Sequence, residues 1–313
     1  MIFAGTPDTA LPVVELLNTS HDIVGVLTRP PAPQGRSSRL VPSPVEQWGR
    51  DHGLEILTPD NLHHPSVADR LREISPEVCP VVAYGGLLPQ EVLDIPPLGW
   101  LNLHYSLLPA YRGAAPVQRA LLDGCTHTGV SVFRIVCALD AGPVFVQNSV
   151  EIFPEETAGE LLERLSVVGA EAMMEAVALA EQGIAPAQQL CQGVSLAPKI
   201  TSADTRLDAG VSSSRLVARV RAMSPDPGAW AMLGDQRIKV IRARLVADDE
   251  PLLASLVASP VPSQVGDLLA TKKKLYWRTR QGFVELVEVH PQGKKPMSGA
   301  DWGRGLPKGS RLV

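Results

Sequence analysis

Trp100-Leu-Asn-Leu-His-Tyr-Ser-Leu-Leu-Pro-Ala-Tyr-Arg-Gly113 is the stretch whose reading decides the fold. It opens as a strand, with Trp100, Leu101, Leu103 and Tyr105 supplying apolar bulk. Asn102 and His104 stand two residues apart, so the alternation of a strand turns both to one face. Pro109 cannot donate to a ladder and ends the strand region after Ser106-Leu107-Leu108. Arg112-Gly113 leads on to Pro116, a residue suited to the first turn of a helix. Polar groups at the carboxyl end of a strand, followed by a turn and a helix, sit where open α/β sheets bind ligands. The bland alternative is an edge strand whose polar face meets solvent.

Working outward toward the start, strands and helices alternate. Met1–Ala4 reads as a short strand that feeds Gly5-Thr-Pro-Asp8, and Ala10–Asn18 as a helix with Pro12 in its first turn. No G-x-G-x-x-G follows, so the turn is not a dinucleotide fingerprint. Ile23–Thr28 and Leu54–Leu57 are the next strands, with a helix over Val45–His52. Between them lies a proline-rich loop, from Arg29 to Pro44, whose only charges are Arg29, Arg36 and Arg39. A loop of that length in a compact domain is usually functional or disordered. A helix over Pro65–Ile74 and a strand over Val78–Tyr84 follow, ending in Tyr84-Gly85-Gly86, where a ligand can approach the backbone closely. Pro89–Leu93 starts another helix. This alternation implies a mostly parallel, Rossmann-like sheet covered on both faces.

Past the opening stretch, a helix over Ala115–Leu122 precedes paired strands at Thr128–Val136 and Val144–Ile152. Thr157-Ala-Gly-Glu160 is a capping box that opens a long helix with its apolar face at 3.6-residue spacing. From Ile184 to about Asp208 periodicity is weak, and the stretch reads as a linker. Ser213–Met223 is a helix carrying Arg215, Arg219 and Arg221. Strands are expected at Ala229–Leu233, Arg237–Ala243, Lys273–Thr279 and Phe283–Val289, with Gln281-Gly282 as a hairpin turn. Several short strands in about a hundred residues suggest a small barrel of the oligonucleotide-binding type, an OB-like domain. The expected organisation is therefore residues 1–183, a linker at 184–207, and a barrel domain at 208–313.

Composition fits an ordinary globular chain: 313 residues, 45% hydrophobic and 20% charged. No apolar run approaches the roughly 20 residues of a membrane span. The first residues carry neither a basic nor an apolar segment of the signal-peptide kind. The four cysteines are scattered without metal-ligand spacing, so neither zinc nor disulfides are expected, and a reducing cytoplasm is the default. The net charge of −4 hides an asymmetry. Residues 1–200 hold 11 basic and 22 acidic side chains, and residues 201–313 hold 18 and 11. A basic second part points to a polyanion as partner.

Three groups of residues carry a resemblance. Asn102-x-His104-x-Ser106-Leu-Leu-Pro109, Tyr111-Arg-Gly-Ala-Ala-Pro-Val117 and Leu139-Asp140-x-Gly142-Pro143 resemble the folate-dependent formyltransferases. Phe3-Ala-Gly-Thr-Pro7, Pro42-Ser-Pro-Val45, Ala197-Pro-Lys-Ile200, Arg221-Ala-x-x-Pro225, Pro227-Gly-Ala-Trp230 and Lys294-Lys-x-Met297-Ser-x-Ala-Asp301 extend it over nearly the whole chain, toward members acting on methionyl-tRNA. The resemblance implies 10-formyltetrahydrofolate as donor, the amino group of initiator methionyl-tRNA as acceptor, no metal, no membrane, and a monomer. It implies a catalytic domain at 1–183 and a tRNA-binding barrel at 208–313. It assigns the crevice at Ala83, Tyr84, Gly85, Leu87, Pro89, Ser106, Leu107, Leu108 and Pro109 to folate. A loop at 29–45 would insert into the tRNA through Arg36 and Arg39, and Lys272, Lys273 and Lys274, which flank the barrel strands, are the further expected tRNA contacts. The family often has glycine where Tyr105 stands; strand alternation turns that ring away from Asn102 and His104.

Formyl transfer to an amine passes through a tetrahedral oxyanion, so a site needs a donor for that oxygen and a route for the amine proton. Asn102 offers an amide donor. His104 is a donor when protonated and a base when neutral. Asp140 beside His104 is expected to orient it and raise its pKa. No serine or cysteine nucleophile is required, and no G-x-S-x-G surrounds Ser106. Without the resemblance the same trio reads equally as a structural hydrogen-bond network. A relative acting on an amino sugar or glycinamide ribotide, and a non-catalytic RNA-binding protein, are the competing readings. The basic second part and the arginine loop oppose the first, and the Asn/His/Asp set opposes the second.

Overall fold

The computed structural model describes residues 1–33, 38–247 and 264–313. They form two compact units: Met1–Pro116, His127–Glu151 and Leu162–Pro198 make one, and Val117–Thr126, Ile152–Leu161 and Lys199–Val313 the other.

The first unit holds a seven-stranded sheet. Its strands are β1 (Ile2–Gly5), β2 (Gly25–Leu27), β5 (Glu55–Leu57), β6 (Cys79–Val82), β7 (Trp100–His104), β8 (His127–Arg134) and β9 (Val144–Glu151). Their order is β5-β2-β1-β6-β7-β8-β9. The pairs from β5 through β7 are parallel, whereas β7–β8 and β8–β9 are antiparallel. Parallel strands bury both faces, and β1 and β6 are accordingly buried at every residue. Helices α1 (Leu11–Leu17), α2 (Pro44–Asp51), α3 (Pro65–Ile74) and α4 (Gln90–Leu93) fall between these strands. α1, α2 and α3 begin with proline in the first turn, where its missing N–H costs nothing. Ser43 caps α2 by accepting from Glu46 N at 3.0 Å. The arginine loop contains a short antiparallel pair, β3 (Ala32–Pro33) and β4 (Leu40–Val41). Helices α5 (Pro116–Leu122) and α6 (Ala158–Glu181) precede the second large sheet. The capping box at α6 is present, with Thr157 N donating to Glu160 Oε2 at 2.8 Å and Glu160 N to Thr157 Oγ1 at 3.4 Å.

The second unit holds an antiparallel sheet in the order β10-β11-β14-β13-β12, with β15 paired to β14. These strands are Ala229–Leu233, Gln236–Leu245, Phe283–Pro291, Leu275–Arg278, Leu268–Ala270 and Met297–Ser298, respectively. Residues near Val313 bridge both edges of the sheet. Met232 N donates to Val313 O at 2.7 Å and Leu268 N to Ser310 O at 2.9 Å. The edges are thereby joined, as a barrel requires. α7 (Ser213–Met223) packs on β11, and the fully buried Tyr276 and Trp277 fill the interior. β12, β15 and α8 (Gly299–Arg304) have no counterpart in the sequence reading. β12 and β15 are three and two residues long, too short to show a period.

Candidate active site

Parallel pairing places the carboxyl ends of β1, β2, β6 and β7 on one edge, and the site is built at the end of β7. Trp100, Leu101 and Leu103 are buried, and Asn102 and His104 share a face. Tyr105, on the other face, is buried with its hydroxyl 3.2 Å from Thr9 O and 3.3 Å from Ser166 Oγ. The Tyr105 ring therefore packs away from the site.

His104 is 5% exposed. Its Nε2 lies 2.8 Å from the Tyr111 carbonyl oxygen. A carbonyl only accepts, so Nε2 carries the hydrogen and Nδ1 holds the lone pair of the neutral ring. Nδ1 is 3.8 Å from Asp140 Oδ2, close enough for charge attraction but beyond a direct hydrogen bond. Burial lowers the His104 pKa below its ordinary value, and this outweighs the opposing pull of Asp140 and of the Tyr111 carbonyl. The expectation of a raised pKa is corrected: desolvation penalises the charged ring more than the carboxylate 3.8 Å away favours it.

Asp140 arrives by a route the strand pattern does not show. β8 runs antiparallel to β7 with Leu101 opposite Arg134, so the β8–β9 loop leaves beside Trp100. It then carries Asp140 to His104. Asp140 adopts φ 46°, in the left-handed region, and its Oδ2 accepts from Gly113 N at 2.7 Å. Gly113 itself has φ 125°, and a Cβ there would meet Ala197 O at 2.7 Å. Tyr111, whose carbonyl fixes the histidine, is also left-handed at φ 60°.

The turn after β7 is held by residues that sequence reasoning misses. Ser131 Oγ accepts from Leu108 N at 3.0 Å and donates to Ser106 O at 2.6 Å. Gln147 Nε2 donates to Leu108 O at 2.6 Å. Ser106 Oγ donates to Ala110 O at 2.6 Å. A buried serine on β8 and a glutamine on β9, both facing the turn, are the available signal. The segment after Gly183, expected to be a linker, also bonds to both site loops. Val144 N donates to Ala187 O at 2.7 Å, and Arg112 N to Ser195 O at 2.9 Å.

Among the residues expected to hold folate, Ala83 and Gly85 are exposed, and Gly85 at φ 78° has open space around its α-carbon. Leu87 is 84% exposed, and on the β8–β9 loop Val136 and Leu139 are exposed too. The two loops meet where Cys137 Sγ donates to Gln90 Oε1 at 2.9 Å. Exposed backbone flanked by exposed apolar side chains suits a flat heteroaromatic ring. Tyr84 is different: its ring lies in the core and its carbonyl accepts from Thr6 Oγ1 at 2.9 Å. Leu108 is buried, Leu107 packs against Gly129, and Pro109 is half-buried, so this turn offers mainly backbone. Pro89 is the N-cap of α4. Among the described residues no group of three or more His, Cys, Asp or Glu side chains is placed to hold a metal ion.

Of the candidate RNA contacts, Arg36 lies outside the described residues, and Arg39 is exposed beside β4. Lys272 and Lys273 are exposed on the β12–β13 turn of the second unit. Lys274 is half-buried with Nζ 3.6 Å from Glu285 Oε2. Among the described residues no helix is long and apolar enough to cross a membrane.

Both parts of the chain resemble known proteins. Residues 1–177 match the formyl transferase family and residues 199–307 the formyl transferase C-terminal domain. The methionyl-tRNA formyltransferase of Thermobifida fusca is 46% identical over 307 residues, spanning 97% of this chain and 96% of that protein. That of Salinispora tropica is 46% identical over 308 residues, spanning 98% and 96%. Among solved structures, the sugar 3N-formyl transferase WlaRD, crystallised in the presence of dTDP and 5-N-formyl-THF, shares the fold. Its TM-score is 0.66 at 15% identity, over 94% of this chain and 98% of that one. With matches over both parts and relatives alike end to end, this chain belongs to the formyl transferase family.

Proposed function

We propose that this chain transfers the formyl group of 10-formyltetrahydrofolate to the free amino group of initiator methionyl-tRNA, giving N-formylmethionyl-tRNA for translation initiation. The observation that carries the reading is the 46% identity to methionyl-tRNA formyltransferases over nearly the full length of both chains. The convergence of Asn102, His104 and Asp140 supplies the chemistry.

The folate donor supplies the formyl carbon. The exposed backbone of Ala83 and Gly85, with Leu87, Val136 and Leu139, offers the surface suited to its ring, and the Ser106–Pro109 turn follows directly on β7, the strand that carries Asn102. The attacking amine must lose a proton, and the neutral Nδ1 of His104 is the free lone pair that can take it. Asp140 then faces a cation, which it stabilises. Asn102 has an amide N–H on the same face to meet the oxygen that gains charge. The new bond from the amine nitrogen to the formyl carbon is balanced by cleavage of that carbon's bond to N10 of the donor, and N10 takes up the proton held on His104 and leaves as tetrahydrofolate. The low pKa of His104 favours the role of base over that of a charged oxyanion donor at neutral pH.

Residues 1–183 are the catalytic part in this reading, 184–207 the connection, and 208–313 the part that binds tRNA through Lys272, Lys273 and Lys274. The loop at 29–45, with Arg36 and Arg39, reaches the acceptor end of the tRNA. The chain acts as a monomer in the cytoplasm. Incubation with labelled donor and, in turn, charged initiator tRNA, free methionine and amino sugars tests it. Label on the tRNA-linked methionine alone is expected. Preferential formylation of a free amino sugar would make this a small-amine enzyme.

A further inference from the structure

We propose that Gln189 is a positioning residue for Asp140, holding the carboxylate against His104 through the backbone of its loop. The inference rests on the formyl-transfer reading above. The side-chain amide of Gln189 donates from Nε2 to the carbonyl oxygens of both Asp140 and Gly142, each at 2.8 Å. Its Oε1 accepts from Arg112 Nη2 at 2.6 Å. One side chain thus ties the loop that carries Asp140 to the loop that fixes His104.

Asp140 needs such a tie. It is left-handed at φ 46°, a region that is unfavourable for most residues with a Cβ and that aspartate tolerates better than most when its side chain is hydrogen-bonded, as Oδ2 is here to Gly113 N. Released, the peptide would relax toward negative φ and carry the carboxylate away from Gly113 N and His104 Nδ1. The anchor for Gln189 is firm. Ala187 exchanges both backbone hydrogen bonds with Val144, at 2.7 and 2.9 Å. On the far side Ser195 Oγ accepts from Tyr111 N at 2.9 Å, and Ala197 N donates to Arg112 O at 2.7 Å. Residues 187–197 therefore form a strap across both loops, with Gln189 reaching inward from it.

The groups facing His104 are the Asp140 carboxylate, the Tyr111 carbonyl and the edge of the Phe133 ring. Of these only Asp140 is charged, so its displacement is legible in the titration of the imidazole. In the full chain, Gln189→Met removes both donors and the acceptor at similar volume. Gln189→Glu keeps an acceptor for Arg112 and loses the donors. Gln189→Leu repeats the first loss should the Met variant not fold.

The kcat for formylation should fall by on the order of 10- to 10²-fold in each variant, the scale of a misplacement near 1 Å. The KM for tRNA and for donor should change little. NMR titration of His104 without substrates should show its pKa lower still in Gln189→Met, because the attractive carboxylate has moved. An unchanged kcat together with an unchanged His104 titration overturns the proposal. So does wild-type kcat in Gln189→Glu beside a defective Gln189→Met, which would locate the effect in the Arg112 interaction. A wild-type protein inactive on methionyl-tRNA counts against the formyl-transfer reading, and the His104 titration still decides whether Gln189 positions Asp140.

Discussion

Gly142→Ala adds one methyl group where the structure has no room for it. The new Cβ would stand 1.7 Å from the Arg134 carbonyl oxygen, 2.9 Å from the carbon of that carbonyl and 3.3 Å from Phe133 Cδ2. Carbon atoms settle near about 3.5 Å from one another, so the loop must retreat by more than about 1 Å. β8 cannot yield instead without loss, because Arg134 N donates to Pro143 O at 2.9 Å and Phe133 pairs with Val144. Asp140 lies two residues upstream and moves with the loop. A misplacement of about 1 Å at a reacting group costs roughly 10²-fold in rate, so kcat should fall by that order. Overpacking of this kind destabilises by about 1–3 kcal/mol, so the unfolding midpoint should drop as well. Steady-state formylation of charged initiator tRNA, with KM for both substrates and a thermal melt, measures all three. A folded Gly142→Ala protein with wild-type kcat would show that the placement of Asp140 does not govern the reaction.

Two further outcomes follow from charge. His104 has a folded pKa below its ordinary value, so the unfolded chain binds this proton first as pH falls. Its contribution to stability is present above about pH 6.5 and is lost progressively as pH drops from there through the folded pKa. Urea titrations at several pH values should show this loss in the wild type and a smaller one in His104→Gln; parallel curves would refute it. Replacing the exposed Lys272 and Lys273 with alanine should weaken tRNA binding evenly across tRNA sequences. The slope of log affinity against log salt should shrink by roughly 0.7–0.9 for each phosphate that is no longer neutralised. An unchanged slope would place this turn away from the RNA.

Much of the fold is legible in the residues because its signals are local. Runs such as Ile2–Gly5 and Cys79–Val82 are short, apolar and bounded by turn residues, and Thr157-x-x-Glu160 marks its helix start. Asn102 and His104 can be placed together by alternation alone. Asp140 cannot, since its approach depends on β8 running back along β7, a matter of long-range pairing. The direction of the His104 pKa shift is not legible, because a sequence shows the neighbouring carboxylate and not the depth of burial. The strap at 187–197 leaves no periodicity, because its bonds are isolated bridges and side-chain hydrogen bonds. The closure of the second sheet is hidden for the same reason: a few residues at 310–313 complete it.

In the proposed reaction Asn102, His104 and Asp140 form one unit that moves a formyl group onto methionyl-tRNA. The most direct test is a double-mutant cycle on kcat for formylation of charged initiator tRNA, using His104→Ala, Asp140→Asn and their combination. Each single variant should lose at least about 10²-fold, the usual scale of acid–base or oxyanion help. The double variant should be hardly worse than the poorer single one, because a unit fails once. Losses that multiply would show that His104 and Asp140 act independently, and a His104→Ala enzyme near wild-type rate would put the chemistry elsewhere.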